Sequence, residues 1–340
     1  MLHFRKMAAA ASLVIATASA GSVVAQSTQL RADGGSAASL TAIVPQLLSR
    51  YADQHTDYSI RVSVDQTLTR SALRLAAGAI DISTVPTAAF HAMTQGTGPY
   101  AQMSDEAIEA AGNIRALFAF LGGHIHPITR ADSGIETFDD VAGRRVFVGP
   151  PAGTASAQAR DLIEAITGYV AGEDYEAIQL DFSAANQAYE DGRFDLFMRT
   201  GAMGSAAIDQ LGSAQPFRLL NVPAEVVESD NWDTFITVPG RAVDPIPAGT
   251  YNNQVNNDED VLAGAYSMML AVNVDMDEET AYALTRVMME NLEDAYGVNV
   301  AMRSLRPDTV FTSLNAPLHP GAVRYFREIG LDVPEALIAD

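Results

Sequence analysis

The sequence contains no cysteine among its 340 residues. This absence excludes disulfide bonds, a thiol nucleophile, and zinc or iron–sulfur sites held by cysteine. The chain also lacks a Gly-x-Ser-x-Gly elbow, a Gly-x-Gly-x-x-Gly turn and a Walker loop. His124 and His126 stand two residues apart without a nearby carboxylate, which is a poor pattern for a metal site. We therefore expect no enzyme, no cofactor and no metal.

Basic residues are scarce: 21 Lys and Arg stand against 42 Asp and Glu, which gives a formal net charge of −21. Nucleic-acid binding needs basic patches that neutralise phosphates, so this balance argues against a nucleic-acid partner. It also opposes binding to anionic lipid surfaces. The simplest interpretation is a solubilising surface. Any anionic ligand then needs a local positive field, because the overall field repels it.

The N-terminus has the pattern of a cleavable secretory signal, covering residues 1–25. Arg5 and Lys6 precede an apolar run over 7–20, and small residues follow it up to Gln26. The run is shorter than the ~20 residues that a membrane span needs. A retained anchor helix is the alternative. We expect an exported, soluble mature protein that begins near Gln26 and works in the periplasm.

The remaining chain is longer than one core usually organises, which suggests two domains. Strand patterns alternate with helix patterns, and this alternation predicts an α/β fold with largely parallel sheets. Helices are expected from about Thr41, where Pro45 requires a late start or a kink, and after Asp277 as an N-cap. Further helices are expected over 71–77 and 155–167. Strands are expected over 30–32, 60–64, 80–82, 114–121, 125–130, 145–148, 178–182, 195–198 and 268–274.

Short polar loops recur between a predicted strand and the following helix. In open α/β sheets such loops line a ligand crevice at the carboxyl ends of the strands. Their glycines allow close approach, their hydroxyls can donate, and helix N-termini favour an anion. Without a catalytic set, these loops indicate binding rather than turnover. They are Asp33–Ser36, Gln66–Arg70, Pro86–Thr87, Pro150–Thr154 and Arg199–Met203.

Five stretches carry a resemblance to a known family. The chain resembles the TAXI family of solute-binding proteins, which are the extracytoplasmic subunits of one class of TRAP transporters. The resemblance covers nearly all of the mature chain, and its first and last stretches are specific in combination. The stretches are HPITRADSGIETFDDVAGRRVFVGPPAGT (126–154), DGRFDLFMRTG (191–201), IPAGTY (246–251), DEETAYALTRVMMENLE (277–293) and APLHPGAVRYFREIG (316–330).

The resemblance implies a two-lobed clamshell of the periplasmic binding protein type II kind, in which each lobe is a mixed sheet flanked by helices. Lobe 1 would comprise 26–128 plus 250–340 and lobe 2 would comprise 129–249, with hinges near 129–131 and 249–251. A small organic anion such as glutamate or 2-oxoglutarate would bind between the lobes of a monomer and pass to a membrane permease. An ABC-type receptor, a sensor partner of a membrane kinase and an enzyme of the same architecture are the alternatives.

The family's first two ligand loops are only partly kept, because residues 66–70 replace small residues with a bulkier set that ends in Arg70. Arg70 or Arg199 could hold a carboxylate, sulfonate or phosphate through a bidentate guanidinium. A salt bridge to one of the many carboxylates is the alternative for each. The expected ligand-binding residues are Gly34, Gly35, Ser36, Thr67, Thr69, Arg70, Thr87, Gly153, Thr154, Arg199, Thr200, Gly201, Met203 and Tyr251.

Overall fold

The computed structural model describes residues 28–35, 37, 39–151 and 154–339, without the side chains of residues 154, 182 and 183. The predicted signal over 1–25 therefore lies outside the described residues. Strands and helices alternate along most of the chain, and the expected α/β class is confirmed. The strands are β1 (Thr28–Asp33), β2 (Tyr58–Ser63), β3 (Ile82–Pro86), β4 (Ile114–Arg130), β5 (Arg145–Gly149), β6 (Glu176–Gln179), β7 (Leu196–Gly201), β8 (Phe217–Leu219), β9 (Arg241–Ile246) and β10 (Val261–Asn273).

Helices cover this sheet, and none in the described part of the chain is both long enough and apolar enough to cross a membrane. The helices are α1 (Leu40–His55), α2 (Leu68–Ala76), α3 (Thr87–Thr94), α4 (Ser104–Ala111), α5 (Thr154–Thr167), α6 (Phe182–Glu190), α7 (Ala206–Ala214), α8 (Ala224–Val227), α9 (Asp230–Ile236), α10 (Glu278–Glu290), α11 (Leu292–Val298) and α12 (Pro320–Glu328).

The strands form one mixed sheet in the order β2-β1-β3-β10-β4-β7-β5-β6, with β8 attached to β4 and β9 to β10. The outer pairs β1–β2, β1–β3, β5–β6 and β5–β7 are parallel, and the pairs made by β4 and β10 are antiparallel. The described strands therefore form one continuous sheet, whereas a mixed sheet in each lobe was expected. The 17-residue β4 and the 13-residue β10 are its longest strands.

Apolar packing divides the molecule on either side of these two strands. Core 1 contains buried residues from 30–120 and 268–337, together with Met203. Core 2 consists of two neighbouring clusters from 125–263. The changeover lies between residues 120 and 125 in β4 and between 263 and 268 in β10. The domain bounds and hinges expected from the sequence stay a prediction.

Strand β4 differs from the two separate strands expected over 114–121 and 125–130. Gly122 and Gly123 lie inside the strand, where a side chain would collide with Tyr266 of β10. A Cβ atom on Gly122 would lie 2.5 Å from the Tyr266 ring, and one on Gly123 would lie 2.5 Å from the Tyr266 hydroxyl. Glycine within a strand often marks such a close approach.

The first helix shows how proline is accommodated. Helix α1 begins at Leu40, close to the expected start, and Pro45 lies inside it. Proline has no N–H to donate to the carbonyl of Thr41, four residues earlier. That carbonyl instead accepts from the Gly35 N–H at 3.2 Å and from the Thr84 hydroxyl at 2.9 Å. The Thr41 carbonyl, which has no partner within the helix at Pro45, thus joins α1 to the first loop and to β3.

Three other expectations need correction. Helix α2 begins at Leu68 rather than Ser71, because Leu68 packs on core 1 and extends the buried stripe by one turn. The strand expected over 178–182 ends at Gln179, and Asp181 occupies the N-cap position of α6. The long helix after Asp277 ends at Glu290, since the Asn291 side chain donates to the Val287 carbonyl at 2.7 Å and competes with the helical backbone.

The predicted N-cap at Asp277 is confirmed. Its carboxylate accepts from the Thr280 N–H at 2.8 Å and from the Thr280 hydroxyl, and these hydrogen bonds lower the pKa of Asp277. We expect Asp277→Ala to lower the free energy of unfolding by about 1 kcal/mol, because α10 loses its cap. Denaturant unfolding checks this, with the exposed Asp275→Ala as the matched control. Equal effects of the two substitutions would contradict the capping role.

Candidate functional site

A cavity of about 170 Å³ lies where strand ends from the two cores meet. Larger open hollows occur on outer faces, including one of about 770 Å³ beside α10, but they do not lie between the cores. This position matches the crevice that open α/β sheets use for ligands. The residues that line the cavity are Pro86, Ala88, Ala155, Gln158, Thr200, Gly240, Tyr266, Ser267 and Met268.

Two helices begin at this cavity, one beside each core. Ala88 lies in the first turn of α3, whereas Ala155 and Gln158 lie at the start of α5. The first N–H groups of a helix have no intrahelical acceptor, and the helix dipole adds partial positive charge there. Both helix starts therefore favour an anion in the cavity. Gly240 closes one side with φ +88°, and a Cβ atom there would lie 3.0 Å from the Ala88 nitrogen.

Tyr266 lines the cavity and was missed by sequence reasoning. It pairs with Gly123 across the sheet, and its half-buried ring covers Gly122 and Gly123. Burial raises the pKa of Tyr266 to about 12, so the hydroxyl remains a donor at neutral pH. A glycine within a strand can mark the close approach of a neighbour, but it does not identify that neighbour.

Arg199 lies beside the cavity rather than in its lining. The half-buried guanidinium donates to the Thr200 carbonyl, and its positive charge favours ionisation of Tyr266. Burial lowers the pKa of Arg199 from its usual high value, but a guanidinium remains protonated in proteins. Arg199 is therefore a cation next to two residues that line the cavity. Residues 199–201 belong to β7 and not to a loop, because they pair with 124–126 of β4.

The first two predicted loops are held against each other but do not line this cavity. Gly34 donates to the Ser63 carbonyl at 2.8 Å. A Cβ atom on Gly35 would lie 2.3 Å from the Thr41 hydroxyl, so this position needs glycine. Thr67 and Arg70 are exposed, and Thr69 is half-buried with its carbonyl accepting from Tyr100 at 3.1 Å. Ser36 and Gly153 lie outside the described residues, and Thr154 is described only as the start of α5.

Of the remaining predicted residues, two lie at the cavity or next to it, and three are buried. Thr200 lines the cavity and Gly201 follows it at the end of β7. Thr87 is fully buried, and its hydroxyl donates to the Ser267 carbonyl at 3.1 Å. Met203 packs into core 1, and Tyr251 is buried in core 2. The structure thus brings Thr200 and Arg199 to the cavity, whereas the ligand-binding role of the whole set stays a prediction.

Buried polar groups form a connected chain near the crossing of β4 with β9 and β10. The Tyr251 hydroxyl lies 2.7 Å from His126 Nε2 and accepts from the Gly204 N–H at 3.1 Å. His126 Nδ1 lies 3.2 Å from the Arg199 carbonyl, which assigns the proton to Nδ1. His124 packs edge-on against His126. Hydrogen bonds thus account for both ring nitrogens of His126, and no group suited to a metal ion occurs among the described residues.

A carboxylate continues this chain toward the surface. Asp244 is buried, and its two oxygens lie 3.1 Å from His124 Nε2 and 2.9 Å from Arg306 Nη2. Arg306 comes from a segment that packs on core 1, whereas Asp244 lies in β9. A buried carboxylate needs such partners, because desolvation strongly opposes an unpaired charge.

Acid should weaken the fold through His126. Burial, with a smaller contribution from His124, lowers the pKa of His126 to about 3 from its ordinary value of 6.5. As pH falls below 6.5, the unfolded chain gains a proton that the folded chain does not. The free energy of unfolding should therefore fall by up to about 1.4 kcal/mol per pH unit, and this group has no effect above that range.

Denaturant unfolding at pH 7, 6 and 5 measures this dependence. His126→Gln should show a shallower fall than the original protein, whereas the exposed His91→Gln is the matched control and should retain the full slope. An unchanged slope in His126→Gln would assign the acid sensitivity to other groups.

Comparison with known proteins gives one family match and many distant structural matches. A model described as the NMT1-like family matches residues 34–330. The periplasmic aliphatic sulphonate binding protein SsuA from Escherichia coli shares 13% identity over 88% of this chain and 78% of that one, with a TM-score of 0.46. The periplasmic sulfonate-binding protein SsuA from Methylobacillus flagellatus shares 7% identity over 87% of this chain and 81% of that one, with a TM-score of 0.48. A TRAP periplasmic solute binding protein from Ochrobactrum anthropi shares 9% identity over 90% of this chain and 92% of that one, with a TM-score of 0.43.

Proposed function

The chain belongs to the NMT1-like family, and on that premise we propose that it is the extracytoplasmic solute-binding subunit of a TRAP transporter of the TAXI type. It captures a small organic anion between two lobes in the periplasm and delivers it to the membrane permease. The resemblance of the sequence to TAXI proteins makes glutamate and 2-oxoglutarate the first dicarboxylates to test.

The cavity between the cores is the observation that carries this proposal. Helix α3 and strand β3 pack on core 1, helix α5 packs on core 2, and residues of all three line the cavity. Two helix starts, the hydroxyls of Thr200 and Tyr266, and the nearby Arg199 make the cavity locally positive in an acidic protein. No nucleophile or metal set is gathered around the cavity among the described residues, which favours binding over turnover.

Capture works by lobe closure. A ligand that contacts both lobes binds the closed arrangement more tightly than the open one, and this difference shifts the population toward closure. A micromolar site needs a net binding free energy of about −8 kcal/mol. Charge-assisted hydrogen bonds contribute ~1.5–3 kcal/mol each before ordering costs, so a few of them suffice.

A thermal-shift screen of the purified protein tests ligand capture. Amino acids, dicarboxylates, keto acids, sulfonates and sugars form the panel, because a ligand that binds only the native state raises the melting temperature. Co-purification with a permease that has TRAP architecture supports the transporter assignment. Co-purification with an ABC permease or a membrane kinase would favour those alternatives, and formation of a product during incubation would favour an enzyme.

Arg199→Ala should weaken binding of the anion found in that screen at least tenfold, because it removes the cation beside Thr200 and Tyr266. Isothermal calorimetry measures the affinity, and the melting temperature shows whether the variant is folded. Arg61→Ala, which removes an exposed arginine on β2, is the matched control and should leave the affinity unchanged. Equal affinities of the Arg199 variant and the original protein would remove Arg199 from the site.

A further inference from the structure

We propose that the cavity selects a small monoanion with a short apolar tail and disfavours the dicarboxylates that the resemblance to TAXI proteins suggests. This inference rests on the proposed function, because it concerns the ligand of the same cavity. The volume of about 170 Å³ is below the ≈300–1,000 Å³ of pockets that hold drug-sized ligands. The ligand is therefore a small molecule, and the chemistry of the walls determines how many charges it carries.

One end of the cavity suits a single oxyanion. The Tyr266 hydroxyl is a donor at neutral pH, Thr200 adds a second hydroxyl, and Arg199 lies beside both. A carboxylate and a sulfonate share the required property, which is oxygen atoms that accept hydrogen bonds and carry one negative charge.

The other walls offer little to a second charge. Pro86, Ala88, Ala155 and Met268 are apolar, and none of the described lining residues is charged.

Hydroxyl groups near these walls are already committed. Thr87 donates its hydroxyl proton to the Ser267 carbonyl at 3.1 Å, and Ser267 donates its own to the Thr312 carbonyl at 3.0 Å. Apart from Thr200 and Tyr266, Gln158 is then the remaining side-chain donor of the described lining, and it is neutral. A second carboxylate would be desolvated with only the partial positive charge of the helix starts beside it and no full cation, which is unfavourable. The net charge of −21 further opposes a dianion.

Calorimetry with ligands of equal chain length tests the inference. Valerate and glutarate differ by one terminal carboxylate, and pentanesulfonate distinguishes a sulfonate head from a carboxylate head. We expect valerate or pentanesulfonate to bind at least tenfold more tightly than glutarate. If glutarate binds as tightly as valerate and pentanesulfonate, or more tightly, the inference is overturned, whereas the proposed ligand capture is supported. If no member of the thermal-shift panel and none of these three binds, both the inference and the proposed function fail.

Two variants locate the preference within the cavity. Tyr266→Phe keeps the ring over Gly122 and Gly123, so it should retain its melting temperature while binding the preferred monoanion at least tenfold more weakly. Tyr282→Phe removes a hydroxyl on α10 that donates to Glu328, and as the matched control it should bind normally. Unchanged affinity in Tyr266→Phe would exclude that hydroxyl from the oxyanion site.

Gln158→Arg tests the apolar wall by adding a cation that can pair with the second carboxylate of a dicarboxylate. Glutarate affinity should rise at least tenfold, and the preference for valerate should narrow by the same factor. A folded variant that gains nothing for glutarate would show that missing positive charge is not what excludes the second carboxylate.

Discussion

The contact between the Tyr266 ring and the glycine pair of β4 is the constraint on which the rest of the structure depends. The pairing of β10 with β4 shifts by one residue between Tyr266 and Ser267, so that Gly122 has no partner opposite it. The extra residue is in β4, and it lies opposite the stretch of β10 whose Tyr266, Ser267 and Met268 line the cavity. Irregularities of this kind are common near functional sites.

That irregularity lies where the apolar packing changes from one core to the other. Strands β4 and β10 must be long to serve both cores, and a side chain at either glycine would push them apart. The same small residues thus maintain the continuity of the sheet and leave room for the cavity. Local positive charge follows from this arrangement, since the ends of β3 and β7 and the starts of α3 and α5 converge there. Fixed backbone dipoles can favour an anion without changing the acidic surface.

Sequence patterns predicted the parts of this fold that depend on neighbours along the chain. Periodicity located α5, the Asp277 cap is a local hydrogen bond, and polar residues at strand ends led to Thr200. Contacts between distant residues could not be predicted in this way. Tyr266 is separated from Gly123 by more than 140 positions, and the periodicity of the sequence does not reveal the register shift next to this pair. Met203 and Tyr251 are residue types suited to a ligand site, yet Met203 is buried in core 1 and Tyr251 is buried in core 2.

The histidines of β4 show the same limit and its physical cause. Neither has a carboxylate nearby in sequence, but Asp244 joins His124 to Arg306 from more than 100 positions away. His126 stays neutral because burial penalises its charged form and lowers its pKa, while Tyr251 and the Arg199 carbonyl satisfy both of its nitrogens. Breaking either set of contacts would leave buried polar groups without partners, and the cost of such groups is high. The polar chain therefore holds β4, β9 and the segment around Arg306 in fixed relation. The Gly240 backbone also lies against the first turn of α3. There the two elements are in close contact through small residues and not through charged partners.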